Sequence, residues 1–239
     1  VKAIHDRSFY AQYPEHPKAY GEDAPKEQLQ KYQDLLGKPY EELLQDKPAG
    51  WGGEEESPYT LQKLDITYPL FEVDTLIDRS TEAWRQWRKV NVDDRAEVLV
   101  DSLERVKERF FEIAYATQHT TGQAFMMSFQ ASGPHSNDRA LEAVALGYEE
   151  LTRFPQDVDW VKPMGKFDIN LKKKYKPVSK GIGLVIGCST FPVWNSVPGL
   201  YATLITGNSA IVKPHPRSVL PIAIVVAEIQ KALKDAGYD

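Results

Sequence analysis

GIGLVIGCSTFPVWNSVPGLYATLITGNSAIVK, residues 181–213, decides how the rest of the chain is read. Ile182–Ile186 is a short apolar run between two glycines, which predicts a buried strand. Residues 198–206 follow as an apolar helix closed by Gly207, and Ser209–Lys213 as a second strand. Ser218 is placed to cap a further helix, rich in Ile, Val, Ala and Leu, that ends at Gly237. Strand, helix, strand, helix with short joints is the order of an α/β fold built on a parallel sheet. In such sheets ligands bind outside the carboxyl ends of the strands. The two strand exits, GCSTFPVWN and VKPHPR, are therefore the candidate site.

Other candidates carry less. Gly181, Gly183 and Gly187 do not have the G-x-G-x-x-G spacing, and Gly181 and Gly183 lie before and within the strand, not after it. They are read as allowing close packing and the turn. Cys188, the one cysteine, is read as a small buried hydrophobe, since no neighbour evidently supplies the lowered pKa a reactive thiol needs. His5, His16, His119, His135 and His215 are scattered without metal-ligand spacing, so no metal site is expected. Glu54, Glu55 and Glu56 read as a solvated acidic run, and Asp93-Asp94 as a helix cap. Phe110 and Phe111 fall inside a helical apolar repeat and are expected in the core. Lys213 closes an apolar strand before a turn stiffened by Pro214 and Pro216. A lysine there is either a surface charge or a clamp for ribose hydroxyls or a phosphate.

Working outward, residues 1–60 are rich in Pro, Tyr, Gly and charge, and only PKEQLQKYQDLLG offers a short helix. This part reads as an N-terminal extension that wraps a surface, with residues 61–239 forming the first part of a larger domain. From Val73 the period is helical through Leu76, Ile77, Ala83, Trp84 and Trp87. Asp93 begins a longer helix carrying Ala96, Leu99, Val100, Leu103, Val106, Phe110, Ile113 and Ala114, which ends at HTTG. Residues 123–154 are helical again with a break at Gly133-Pro134. KFDINLKKKYKPV alternates apolar and charged residues and predicts an exposed or edge strand.

Composition narrows the class. With 42% hydrophobic and 26% charged residues, 239 residues can bury a sizeable core. The net charge of −5 argues against a general nucleic-acid binder. No apolar run approaches the ~20 residues of a membrane helix. A single cysteine fits a reducing, cytoplasmic setting. The N-terminus does not read as a signal peptide, and the chain, without an initiator Met, reads as a piece of a longer protein.

Residues 186–221, IGCSTFPVWNSVPGLYATLITGNSAIVKPHPRSVLP, resemble the aldehyde dehydrogenase superfamily. That family carries here a Pro-Trp-Asn-Phe-Pro turn, an apolar helix, Gly-Asn and Lys-Pro-x-Glu. AWRQWRKVNVDDRAEVL and HTTGQAF are similar to its early tryptophan, its Glu-Arg helix start and its Thr-Gly-Lys segment. The likeness spans about residues 65–239. AIHDRSFYAQYPEHPKAYGEDAP, TTGQAFMMSFQASGPH and GCSTFPVWN are closer still to the PaaN-type proteins of phenylacetate degradation.

The resemblance implies the N-terminal part of a Rossmann-type NAD(P) domain, with KFDINLKKKYKPV as an oligomerisation strand of a dimer or tetramer. Ile186, Gly187, Cys188, Ser189 and Thr190 would face the cofactor, with Lys213, His215, Pro216 and Arg217 on its adenosine side. Thr190 stands where the family has an oxyanion-stabilising asparagine; its hydroxyl can donate but is shorter. Pro216 replaces the family's ribose-binding Glu and Arg217 follows, which implies a preference for NADP. The family's catalytic cysteine and general-base glutamate would lie beyond Asp239, so this piece alone is expected to be inactive. The implied reaction is oxidation of an aldehyde to the acid, the substrate being an aromatic-derived semialdehyde, free or CoA-linked. A CoA-acylating enzyme and a non-catalytic scaffold that keeps the fold are the alternatives.

Overall fold

The computed structural model describes residues 1–238. The chain opens with a short helix α1 (Lys2–Asp6), a 3-10 turn at Pro17–Tyr20 and helix α2 (Ala24–Leu35). Two short strands, β1 (Gly50–Gly52) and β2 (Tyr68–Leu70), pair antiparallel. Helices α3 (Val73–Trp87), α4 (Val92–Lys107), α5 (Phe110–Thr121), α6 (Phe125–Ser132) and α7 (Pro134–Thr152) follow. An antiparallel hairpin, β3 (Asp157–Pro163) with β4 (Asp168–Lys174), leads to β5 (Ile182–Ile186), α8 (Pro192–Ile205), β6 (Ser209–Lys213) and α9 (Leu220–Asp235).

The last four elements form the expected α/β unit. β5 and β6 pair in parallel, from Ile182 opposite Ser209 to Ile186 opposite Lys213. A right-handed crossover is the usual way to join such strands, and α8 serves as the connection. It begins at Pro192, six residues before the expected start at Pro198, which instead lies inside it. Proline at the first turn loses nothing, because that amide has no intrahelical partner. Pro198 forgoes one ladder bond, and the helix continues because Val193, Val197, Leu200, Tyr201, Leu204 and Ile205 are buried together. Gly207, at φ 78°, closes the turn.

The expectation that β5 is buried needs correction. A side chain on Gly183 would meet Thr203 Cγ2 at 2.4 Å, and Val185 packs on the core. The other face is bare: Leu184 is 62% and Ile186 67% exposed. An apolar run on both faces marks a strand built to be covered twice, yet among the described residues only one face is covered.

Two helix starts also differ from expectation. α4 is capped by Asn91, whose Oδ1 accepts from the Asp94 amide at 2.8 Å, and not by Asp93. Asp93 lies inside the first turn and accepts from the Tyr148 hydroxyl at 2.7 Å. The single long helix expected from Asp93 onward is two, α4 and α5, because Arg109 leaves helical geometry at φ −122° and ψ 13°. Apolar phase survives the break, so Leu99, Leu103, Val106, Phe110, Ile113 and Ala114 are buried as the repeat predicts, whereas Val100, one residue off that face, is exposed. The alternating stretch that predicts an exposed strand supplies β4, and β3 pairs with it from outside that stretch.

Residues 1–68 contribute Tyr13, Tyr32, Tyr40, Leu64, Ile66 and Tyr68 to the same apolar core as α4, α5, α8 and α9. Arg109 pins this segment electrostatically, donating to Glu42, Glu112 and Glu228 within 2.9 Å. Lys231 joins the cluster through Glu42 at 2.6 Å and Glu228 at 2.9 Å. The three carboxylates and two cations so connect the N-terminal segment, α5 and α9.

Candidate functional site

Because β5 and β6 run parallel and in register, their carboxyl ends finish on one rim. The Gly187 amide donates to the Lys213 carbonyl at 2.9 Å, which extends the pairing one residue past the strand. Ile186, Gly187, Cys188, Ser189 and Thr190 leave from one strand and Lys213, His215, Pro216 and Arg217 from the other. Gly187 lets the two exits pass close together. A Cβ there would lie 3.2 Å from both Pro214 Cα and Ser196 Oγ.

The first exit turns directly into α8, and Cys188 sits over that turn. Its thiol is partly exposed. Asn195 Nδ2 donates to Sγ at 3.2 Å, and Thr190 Oγ1 lies 3.5 Å away. Burial pushes the thiol up, but Thr190, Asn195 and the amides of Phe191 and Thr190 outweigh it and bring the pKa down to about 7. This corrects the reading of Cys188 as an inert core residue. The donors lie two to seven residues further along the chain, and only the folded turn brings them onto Sγ.

Thr190 is exposed, and its carbonyl accepts from Gln123 Nε2. Gln123 Oε1 is buried without a hydrogen-bond partner among the described residues. No local pattern in HTTGQAF marks Gln123; the α5 C-terminus, closed by Gly122 at φ 75°, delivers it to the rim.

At the second exit Lys213 and Arg217 are both exposed. The loop between them is tight. The Arg217 amide donates to His215 Nδ1 at 3.2 Å and the Ser218 amide to the His215 carbonyl at 2.9 Å. Ser218 does not cap α9. Its hydroxyl bonds Thr120 Oγ1 at 3.0 Å. The amides that open α9, those of Val219 and Leu220, donate instead to Glu55 Oε1 at 2.6 and 2.8 Å. Glu55 is 3% exposed, so the acidic triplet is not a uniformly solvated run. Burial raises its pKa against the opposing bonds from Tyr68, Leu220 and Val219.

The rim offers an exposed apolar wall at Ile186, a glycine crossing point, two exposed cations, and an unpartnered buried oxygen on Gln123. These residue types fit a dinucleotide, whose base packs on apolar surface and whose phosphates and ribose hydroxyls need donors and cations. Among the described residues no cluster of three or more His, Cys, Asp or Glu side chains could hold a metal ion. No helix there is long and apolar enough to cross a membrane.

The aldehyde dehydrogenase family pattern matches residues 69–238, and the chain belongs to that family. An NAD-dependent aldehyde dehydrogenase from Burkholderia multivorans is 45% identical. It superposes with a TM-score of 0.94 over 99% of this chain and 43% of its own. A 1-pyrroline-5-carboxylate dehydrogenase from Thermus with bound NAD is 18% identical, with a TM-score of 0.66 over 96% of this chain and 43% of its own. An NADP-dependent glyceraldehyde-3-phosphate dehydrogenase from Bacillus halodurans, complexed with NADP, gives 16% identity and a TM-score of 0.59. That match covers 79% of this chain and 38% of its own. The last two share the fold alone. The chain spans less than half the length of each of these relatives. No curated protein sequence matches it.

Proposed function

We propose that this chain is the nucleotide-binding part of an aldehyde dehydrogenase that oxidises an aldehyde to its acid with NAD(P). The observation that carries the reading is the parallel pairing that ends with Ile186 opposite Lys213, which places both exits on one rim. When bound, NAD(P)+ supplies a hydride acceptor. Ile186, Gly187, Cys188, Ser189 and Thr190 line one side of the dinucleotide; Lys213, His215, Pro216 and Arg217 line the other. The Thr190 hydroxyl assists oxyanion stabilisation. The nucleophilic cysteine and the base lie outside residues 1–239 and belong to the intact protein, which works in the cytoplasm.

The substrate is an aromatic-derived semialdehyde of phenylacetate breakdown, free or CoA-linked; the N-terminal motifs support this. Assays of the intact protein with an aldehyde, with and without CoA, separate an acid product from a thioester. The β3–β4 hairpin supports assembly as a homodimer or tetramer, because both of its strands are largely exposed.

NADP is the favoured cofactor. Pro216 brings no carboxylate to repel a 2′-phosphate, and exposed Arg217 can pair with one. The 45% identical relative is described as NAD-dependent, which speaks for NAD. Titration decides between them. Arg217→Ala should weaken NADP binding about tenfold and leave NAD within about twofold. Equal losses for both would sink the 2′-phosphate assignment.

A further inference from the structure

We propose that Glu55 is a positioning residue for the nucleotide, holding the second strand exit in place from outside the α/β unit. The inference rests on the nucleotide reading above. Glu55 lies before residue 69, where the family match begins, and 164 positions from Val219.

The backbone donors at the start of α9 all find partners, two of them on Glu55. Ser218 N–H is taken by the His215 carbonyl, and Pro221 has no N–H. The Ile222 and Ala223 amides both reach the Val219 carbonyl. Only Val219 and Leu220 need an outside acceptor, and Glu55 Oε1 serves both. Val219 has no capping side chain of its own. One carboxylate, buried with the helix start, thus replaces the missing local cap and meets the positive end of the helix.

The carboxylate is itself held. Tyr68 O–H donates to Glu55 Oε2. The Leu64 amide donates to the Glu55 carbonyl at 3.0 Å, and Glu56 bridges Lys63 antiparallel. On the opposite side, Thr120 grips Ser218. Residues 214–218 therefore run between fixed points, Lys213 in the sheet and the Glu55-capped helix start. His215 and Arg217 project from that short span. The filled helix start also has no amide left for a nucleotide phosphate.

The test uses the intact protein with Glu55→Ala, Glu55→Gln and the milder Tyr68→Phe. Dinucleotide Kd is read by fluorescence titration, and amide exchange over residues 214–222 by mass spectrometry. Glu55→Ala should raise Kd about tenfold, with kcat at saturating dinucleotide and the aldehyde KM within about twofold. Glu55→Gln keeps an acceptor oxygen and should restore most of the affinity; Tyr68→Phe should cost about threefold. Exchange should quicken at Val219 and Leu220 in step with Kd. Folded Glu55→Ala protein with faster exchange but unchanged Kd would overturn the positioning role and leave the dehydrogenase reading intact. Loss of affinity no better in Glu55→Gln than in Glu55→Ala would also overturn it. No dinucleotide binding by the unsubstituted protein would overturn both.

Discussion

Cys188 shows how a single side chain changes meaning when its neighbours arrive in space. Its donors, Thr190 and Asn195, are two and seven residues away, and the α8 turn folds them back onto Sγ. With the pKa lowered to about 7, the thiolate is the minor form below that pH and dominates above it. Alkylation of Cys188 by iodoacetamide should therefore rise through a midpoint near 7 and level off by about pH 8. Asn195→Ala removes a donor to the charged form and should move the midpoint upward. Because Cys188 lies on the rim, saturating dinucleotide should slow alkylation. Identical rates with and without dinucleotide would count against placing the cofactor there.

At the scale of elements, the Arg109 cluster joins three segments that the sequence leaves far apart. Arg109 is largely buried against Glu42, Glu112 and Glu228, and Glu112 is itself 1% exposed. Arg109→Met leaves these carboxylates to repel one another in a poorly solvated place, and should cost about 3–5 kcal/mol in urea denaturation. For Glu42, burial works against the charge, but the hydrogen bonds and charges of Arg109 and Lys231 win and hold it below the usual carboxylate value. A depressed folded-state pKa adds stability that is present above the unfolded value and lost as pH falls through the folded one. Wild-type protein should thus lose stability on acidification across that window, and Glu42→Gln should flatten the slope there. An unchanged slope would show that Glu42 does not carry this linkage.

For the whole molecule, the feature that most affects behaviour is the uncovered face of β5. Leu184 and Ile186 stand out from it, with Trp194 40% exposed. Expressed as residues 1–239, the chain should bind a hydrophobic dye and self-associate in sedimentation. Leu184→Lys should reduce both without lowering the melting temperature, since Leu184 has little native packing to lose. A drop in stability with no change in association would show instead that Leu184 is packed.

Local sequence was enough for the βαβα order, the parallel pairing and both strand exits. These follow from short apolar runs and from glycines that close helices at positive φ, both of which act over a few residues. It also marked the apolar phase of α4 and α5 across a break it did not reveal. Folding in three dimensions set which partner each polar group found. Ser218 turned to Thr120, α9 took Glu55 as its cap, Cys188 gained donors, and Gln123 reached Thr190. The physical reason is range: hydrophobic period and backbone sterics are written locally, whereas a buried hydrogen bond is satisfied by whichever group the folded chain brings within 3 Å.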